Sequence, residues 1–119
     1  MAHAVGGKFP IHHGMANAIL LTHGMGFNSV LVPNRYGRIA RALGVNAGGR
    51  SETEVIADGI EAVATLRQDC GLPSRLRDVG VDQDALPTLA EAALGDAAIF
   101  NNPRSVSLDE LRALFEAAW

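Results

Sequence analysis

At 119 residues the chain has room for one domain with a modest core, and a formal charge of −3 with 19% charged residues leaves no basic face for nucleic acid. A single cysteine, Cys70, excludes an internal disulfide and fits a reducing compartment. No apolar run reaches membrane-spanning length and the N-terminus lacks the charged-then-apolar order of a secretion signal, so the expected location is cytoplasmic.

The first stretch, AHAVGGKFPIHHGM, holds three of the four histidines. His3 precedes a glycine-rich turn at Gly6-Gly7 that can fold it back beside His13. Imidazoles so placed admit two readings. They can ligate a metal or relay protons near neutral pH. They can equally be ordinary polar groups at a loop–helix junction, because two histidines seldom hold a metal without a carboxylate or thiolate. His12 and His23 read as solvated or hydrogen-bonded side chains.

Met15 to Phe27 is the first expected helix, with Met15, Ala18, Ile19, Leu21 and Met25 as a wide apolar stripe. Gly24 and Gly26 each cost about 1 kcal/mol relative to alanine inside a helix, so this helix is expected to fray or end early. Tyr36, Ile39, Ala40 and Leu43 recur at helical spacing up to Gly44. Ser51 and Glu54 form a capping box that opens a helix carrying Val55, Ile56, Ile60, Val63 and Leu66. That helix stops before Gly71 and Pro73, where Cys70 reads as a half-buried small hydrophobe. SRLRDVGV is a short helical turn and loop. A helix follows from about Asp84 to Leu94, with Pro87 in its first turn. FNNPRSVS is a loop in which Asn102-Pro103-Arg104 reads as a rigid turn. Ser107 and Glu110 then make a second capping box before Leu108, Leu111, Leu114 and Phe115. No alternating β-branched run occurs, and the expected architecture is an all-α bundle of about five helices. The chain contains no GxGxxG, P-loop, HExxH or CxxC motif.

The segment MAHAVGGKFPIHHGMANAILLTHGMGFN resembles the iron-containing (group III) alcohol dehydrogenases. Their pattern runs Ala-His-x-x-Gly, then His-Gly-x-x-Asn-Ala, then Leu-Pro-His-x-Met-x-Phe/Tyr-Asn. It stands here as Ala2-His3 with Gly6, His13-Gly14 with Asn17-Ala18, and Leu21-Thr22-His23 through Phe27-Asn28. RYGRIARALGV, LRQDCGLPSRLRDVGV, LPTLAEAAL and NNPRSVSLDELRALFEAAW resemble later family stretches in the same order, so the likeness spans residues 1–119. The departures are Thr22 for the usual proline, glycine at 24 and 26, and His12 where proline is common.

The resemblance implies the C-terminal portion of the dehydroquinate synthase-like helical domain of that family. It implies that His13 is a ligand of a catalytic divalent metal, iron or zinc, which binds the alcohol oxygen and prepares hydride transfer to NAD(P). It implies that His3 lies near nicotinamide and substrate and helps relay a proton. Ala98, Ile99 and Phe100 would line a pocket wall. The substrate class implied is a small alcohol or aldehyde. Family members also carry a nucleotide-binding α/β domain, a carboxylate ligand and two further histidine ligands, all expected upstream of Met1. The chain alone is therefore expected to hold neither metal nor coenzyme tightly and to be inactive. The alternative is a non-catalytic helical module that self-associates. A homo-oligomer is expected in either case, with Ile19, Leu20, Ile56, Ile60 or Val63 near the interface.

Overall fold

The computed structural model describes residues 1–119 as six α-helices and three short 3₁₀ turns, with no strand. The helices are α1 (Ala2–Lys8), α2 (His13–Ser29), α3 (Pro33–Ala42), α4 (Glu52–Asp69), α5 (Leu86–Leu94) and α6 (Leu108–Ala118). The sixth helix beyond the expected set is α1. Gly6 and Gly7 lie inside it, so the glycine pair is not the turn. The chain reverses at Phe9–His12 instead. Phe9 is extended (φ −123°, ψ 146°), as the residue before a proline prefers, and this ends the helix. Fully buried Val5 anchors the short segment among α2 and α5.

His12 caps α2: its Nδ1 accepts from the Gly14 amide at 3.2 Å. The helix then runs unbroken through Gly24 and Gly26 to Ser29, and the expected fraying is absent. Packing explains this. α2 touches α1, α3, α4 and α6, and buries Ala16, Ile19, Leu20, Met25 and Asn28 along its length. Tertiary burial outweighs two unfavourable propensities.

Two packed groups share α2. Its first half, with α1, α5, α6 and the 76–81 turn, encloses Val5, Ile19, Leu76, Leu89 and Phe115. Its second half carries the α3–α4 hairpin. There Gly59 is needed for close approach, since a Cβ at that position would stand 2.5 Å from the Ala40 Cβ. Arg41 adds a two-pronged ion pair to Glu52, at 3.0 and 2.6 Å. Both expected capping boxes form, at Ser51/Glu54 and Ser107/Glu110.

The chain covers several residues expected at an interface. Ile19, Leu20 and Ile56 are buried by its own helices, and Ile60 and Val63 are partly buried. The large apolar side chains that reach solvent include Leu21, Val30, Leu31, Leu66 and Phe100. Cys70 is exposed rather than half-buried, because it caps α4 where Gly71 (φ 67°) turns the chain outward.

Candidate functional site

The Phe9–His12 reversal brings His3 of α1 onto His13, the first residue of α2. Their rings stack with centroids 5.2 Å apart and planes 25° apart. Both side chains are exposed, so both imidazoles can be reached from outside.

A third residue joins them that the sequence did not single out. Asp96 caps the 3₁₀ turn Ala97–Asn101, its Oδ1 accepting from the Ala98 amide at 2.9 Å. Its Oδ2 lies 2.7 Å from His3 Nδ1. The Ala98 N–H first, and the His3 hydrogen bond second, hold the Asp96 carboxyl below its ordinary pKa. An ionised carboxylate accepts only, so His3 Nδ1 is the donor in this contact. That leaves Nε2 as the ring nitrogen available for exchange.

A cleft of about 150 Å³ opens beside Asp96. Ala98, Ile99 and Asn102 line one side of it; Gly24, Phe27 and Asn28 of α2 line another. Ala98 and Ile99 thus occupy a pocket wall as anticipated, whereas Phe100 is 87% exposed and points away. The Asn102-Pro103-Arg104 segment is more than a rigid turn. The Asn28 and Asn102 amides bond each other reciprocally, at 2.8 and 2.9 Å. Arg104 donates to the Phe27 carbonyl at 3.0 Å and to Glu110 at 2.6 Å, with its guanidinium 3.8 Å above the Phe27 ring. These contacts clamp the cleft wall onto α2.

The remaining histidines stand apart from this chemistry. His12 is engaged as a helix cap. His23 is half-buried farther along α2, and burial, then the charge of Arg67, pushes its pKa down.

No group of three or more histidine, cysteine or carboxylate side chains, the His3–His13–Asp96 set included, is arranged to hold a metal ion. His13 offers one imidazole, and His3 Nδ1 is engaged by Asp96. This donor set fits one ligand of a metal and does not fit a closed coordination shell, which takes about four.

The helical frame coincides with that of a known group. The model of the Fe-containing alcohol dehydrogenase family, C-terminal, matches residues 1–119. The chain belongs to this family. It is similar to lactaldehyde reductase of Escherichia coli K12, at 43% identity over 100% of this chain and 31% of that protein. It is 39% identical to the 1,3-propanediol dehydrogenase of Klebsiella pneumoniae, again over 100% of this chain and 31% of the relative. The crystal structure of a 1,3-propanediol oxidoreductase superimposes with a TM-score of 0.96 at 38% identity, over 99% of this chain and 31% of that one. The chain therefore spans about a third of the length of the curated relatives it matches, and within the iron-type dehydrogenase fold it represents the helical C-terminal portion.

Proposed function

We propose that these residues form the helical, site-bearing part of an alcohol dehydrogenase that interconverts small alcohols with aldehydes or ketones, using NAD(P) and a divalent metal, iron or zinc. The observation that carries this reading is the stacked His3–His13 pair with Asp96 on His3 Nδ1, Asp96 being also part of the lining of a small cleft.

In this reading His13 gives the metal one imidazole. The other ligands and the coenzyme cradle come from the part of the family fold that these residues do not cover. His3 carries the proton traffic. Asp96 fixes its ring orientation and tautomer, and Nε2 is left to hold or pass a proton between the reacting group and water. The cleft walled by Phe27 and Ile99 excludes water around a short carbon chain. We place the protein in the cytoplasm, consistent with its lone cysteine, and no helix is long and apolar enough to cross a membrane. The incomplete donor set also favours a second reading, a non-catalytic helical module.

A fusion separates the two. The chain is joined to the part of E. coli lactaldehyde reductase that it does not cover. Turnover by the fusion, and none by the chain alone, supports the dehydrogenase reading. In the fusion, His13→Ala should abolish turnover and release metal on dialysis. His3→Ala should retain the metal, slow turnover by about 10²–10⁴-fold and reshape the pH profile. Normal turnover in the His13→Ala fusion would overturn the assignment.

A further inference from the structure

Nine arginines punctuate a chain whose net charge is −3. Arg41, Arg50, Arg104 and Arg112 are neutralised by carboxylates. Of the five left without such a partner, three converge on one pocket. Arg67 comes from the end of α4, and Arg75 and Arg77 from the turn that follows it. His23 of α2 and the Ser74 hydroxyl complete the polar wall, and Glu116 is the only acidic residue lining it.

Two details point to a ligand rather than to a solvated basic face. The Arg67 Nε is buried and donates to nothing in the fold. A buried N–H of a charged group left unpaired is costly, and an anion oxygen that reached it would relieve that cost. Arg112 Nε is likewise unpaired, but its guanidinium already has Asp109 and Glu91 beside it. In addition, Arg77 is held in place: its guanidinium lies over the Trp119 ring at 5.5 Å, and the Trp119 Nε1 is fixed by the Val81 carbonyl at 2.8 Å. An arginine packed on a pinned indole is pre-organised to present its donors.

We propose that this pocket, formed where α2, α4 and the C-terminal end of α6 meet the 74–77 turn, binds a doubly charged oxyanion of the phosphate class. The arginine forks match the planar edges of a phosphoryl group. Two negative charges offset the excess of two that the three arginines leave over Glu116. The site is separate from the His3–His13 pair, because His23 lies ten residues beyond His13 on the same helix, about 15 Å along its axis. Free phosphate and a phosphomonoester share this chemistry, and the second differs by carrying an organic tail.

The test titrates the chain with inorganic phosphate, and separately with glycerol 3-phosphate, at constant ionic strength set with sodium chloride. Proton–nitrogen spectra follow the Arg67 Nε–H and Trp119 indole signals. Saturable shifts of both are expected, and the tighter of the two ligands identifies the source. Arg67→Gln and Arg75→Gln should each weaken binding by roughly tenfold or more, while Arg38→Gln leaves it unchanged. Thermal unfolding checks that the variants fold. Shifts that sodium chloride alone reproduces, shifts that persist in the Arg67→Gln/Arg75→Gln double variant, or no shift with either phosphate would overturn the proposal.

Discussion

His3 and Asp96 are 93 residues apart in sequence and 2.7 Å apart in the fold. The contact ties α1 to the turn that follows α5, and it holds one imidazole nitrogen while leaving the other free. Asp96 has two donors on its two oxygens, so its ionised form is favoured by folding.

The acid side of the stability curve reports this contact. The folded pKa of Asp96 is depressed, the Ala98 N–H being the largest cause and His3 the next. A depressed carboxylate contributes stability that is fully present above its unfolded value, about 3.9, and lost as the pH falls through the folded one. Asp96→Asn should therefore lower the urea midpoint at pH 7. The gap between variant and parent should narrow as the pH falls below the unfolded value of about 3.9 and close below the folded one. A gap that stays constant throughout that acid range would assign the effect to something other than the carboxylate charge.

His23 has the opposite dependence on its charge. Burial first, and Arg67 second, lower its folded pKa, so the folded state favours the neutral ring. Below about pH 6.5 the unfolded chain takes up the proton more readily, and stability is lost as the pH falls through that range. His23→Gln should flatten the slope between pH 7 and 5. Denaturant midpoints measured across that window decide it, and an unchanged slope would mean the ring is solvated.

Two glycines in helices should respond in opposite directions to the same substitution. A Cβ at Gly26 meets nothing within 4 Å, so Gly26→Ala should raise stability by about 0.5–1 kcal/mol through propensity and chain entropy. At Gly59 the added carbon meets both the Cβ and the Cα of Ala40, at 2.5 and 2.9 Å. Gly59→Ala should separate α3 from α4 and cost about 1–2 kcal/mol net of the propensity gain. Thermal melts of the two variants give the comparison directly.

The Asn28–Asn102 pair offers a test of the clamp. Asn28 is 9% exposed and its amide is matched reciprocally by Asn102. Removing either partner leaves the other short of a bond, at a cost of about 1–3 kcal/mol. In a double-mutant cycle of Asn28→Ala and Asn102→Ala, the second change should cost clearly less in the background of the first. Strict additivity would show that the amides act independently.

The helices were legible wherever local chemistry decides them. Ser51 and Ser107 announce their own helices, because a cap and its glutamate partner are three residues apart. The misreadings arose where distant packing decides. Gly6-Gly7 has the composition of a turn, yet Val5 finds a buried place and Pro10 moves the reversal to Phe9–His12. Gly24 and Gly26 weaken α2 locally, and the neighbouring helices override them. In the site, His3 and His13 stood out by residue type and family likeness. Asp96 did not, although an aspartate before Ala97-Ala98 is a readable cap signal. Its second role depends on where α1 lies, and no local pattern encodes that. Arg67 likewise joins Arg75 and Arg77 around one pocket only through the tertiary fold.

Self-association also changes character once the core is known. Ile19, Leu20 and Ile56 are spent on the chain's own interior, so a partner copy cannot use them. The apolar surface that remains includes Val30 and Leu31 at the α2–α3 junction, 77% and 56% exposed. These neighbours stand where one helix has ended and the next has not begun, with no other side chain covering them fully. Burying apolar area gains about 25 cal/mol per Å², and a two-fold contact buries the same patch twice. We expect a homodimer at micromolar concentration, with Val30 and Leu31 at its centre. Light scattering should give twice the 12.5 kDa chain mass for the parent. The Val30→Lys/Leu31→Lys double variant should stay folded, because neither side chain belongs to the core, and should scatter as a monomer. A parent that is monomeric and binds no hydrophobic dye would refute dimerisation, and a double variant that still dimerises would move the interface to another face.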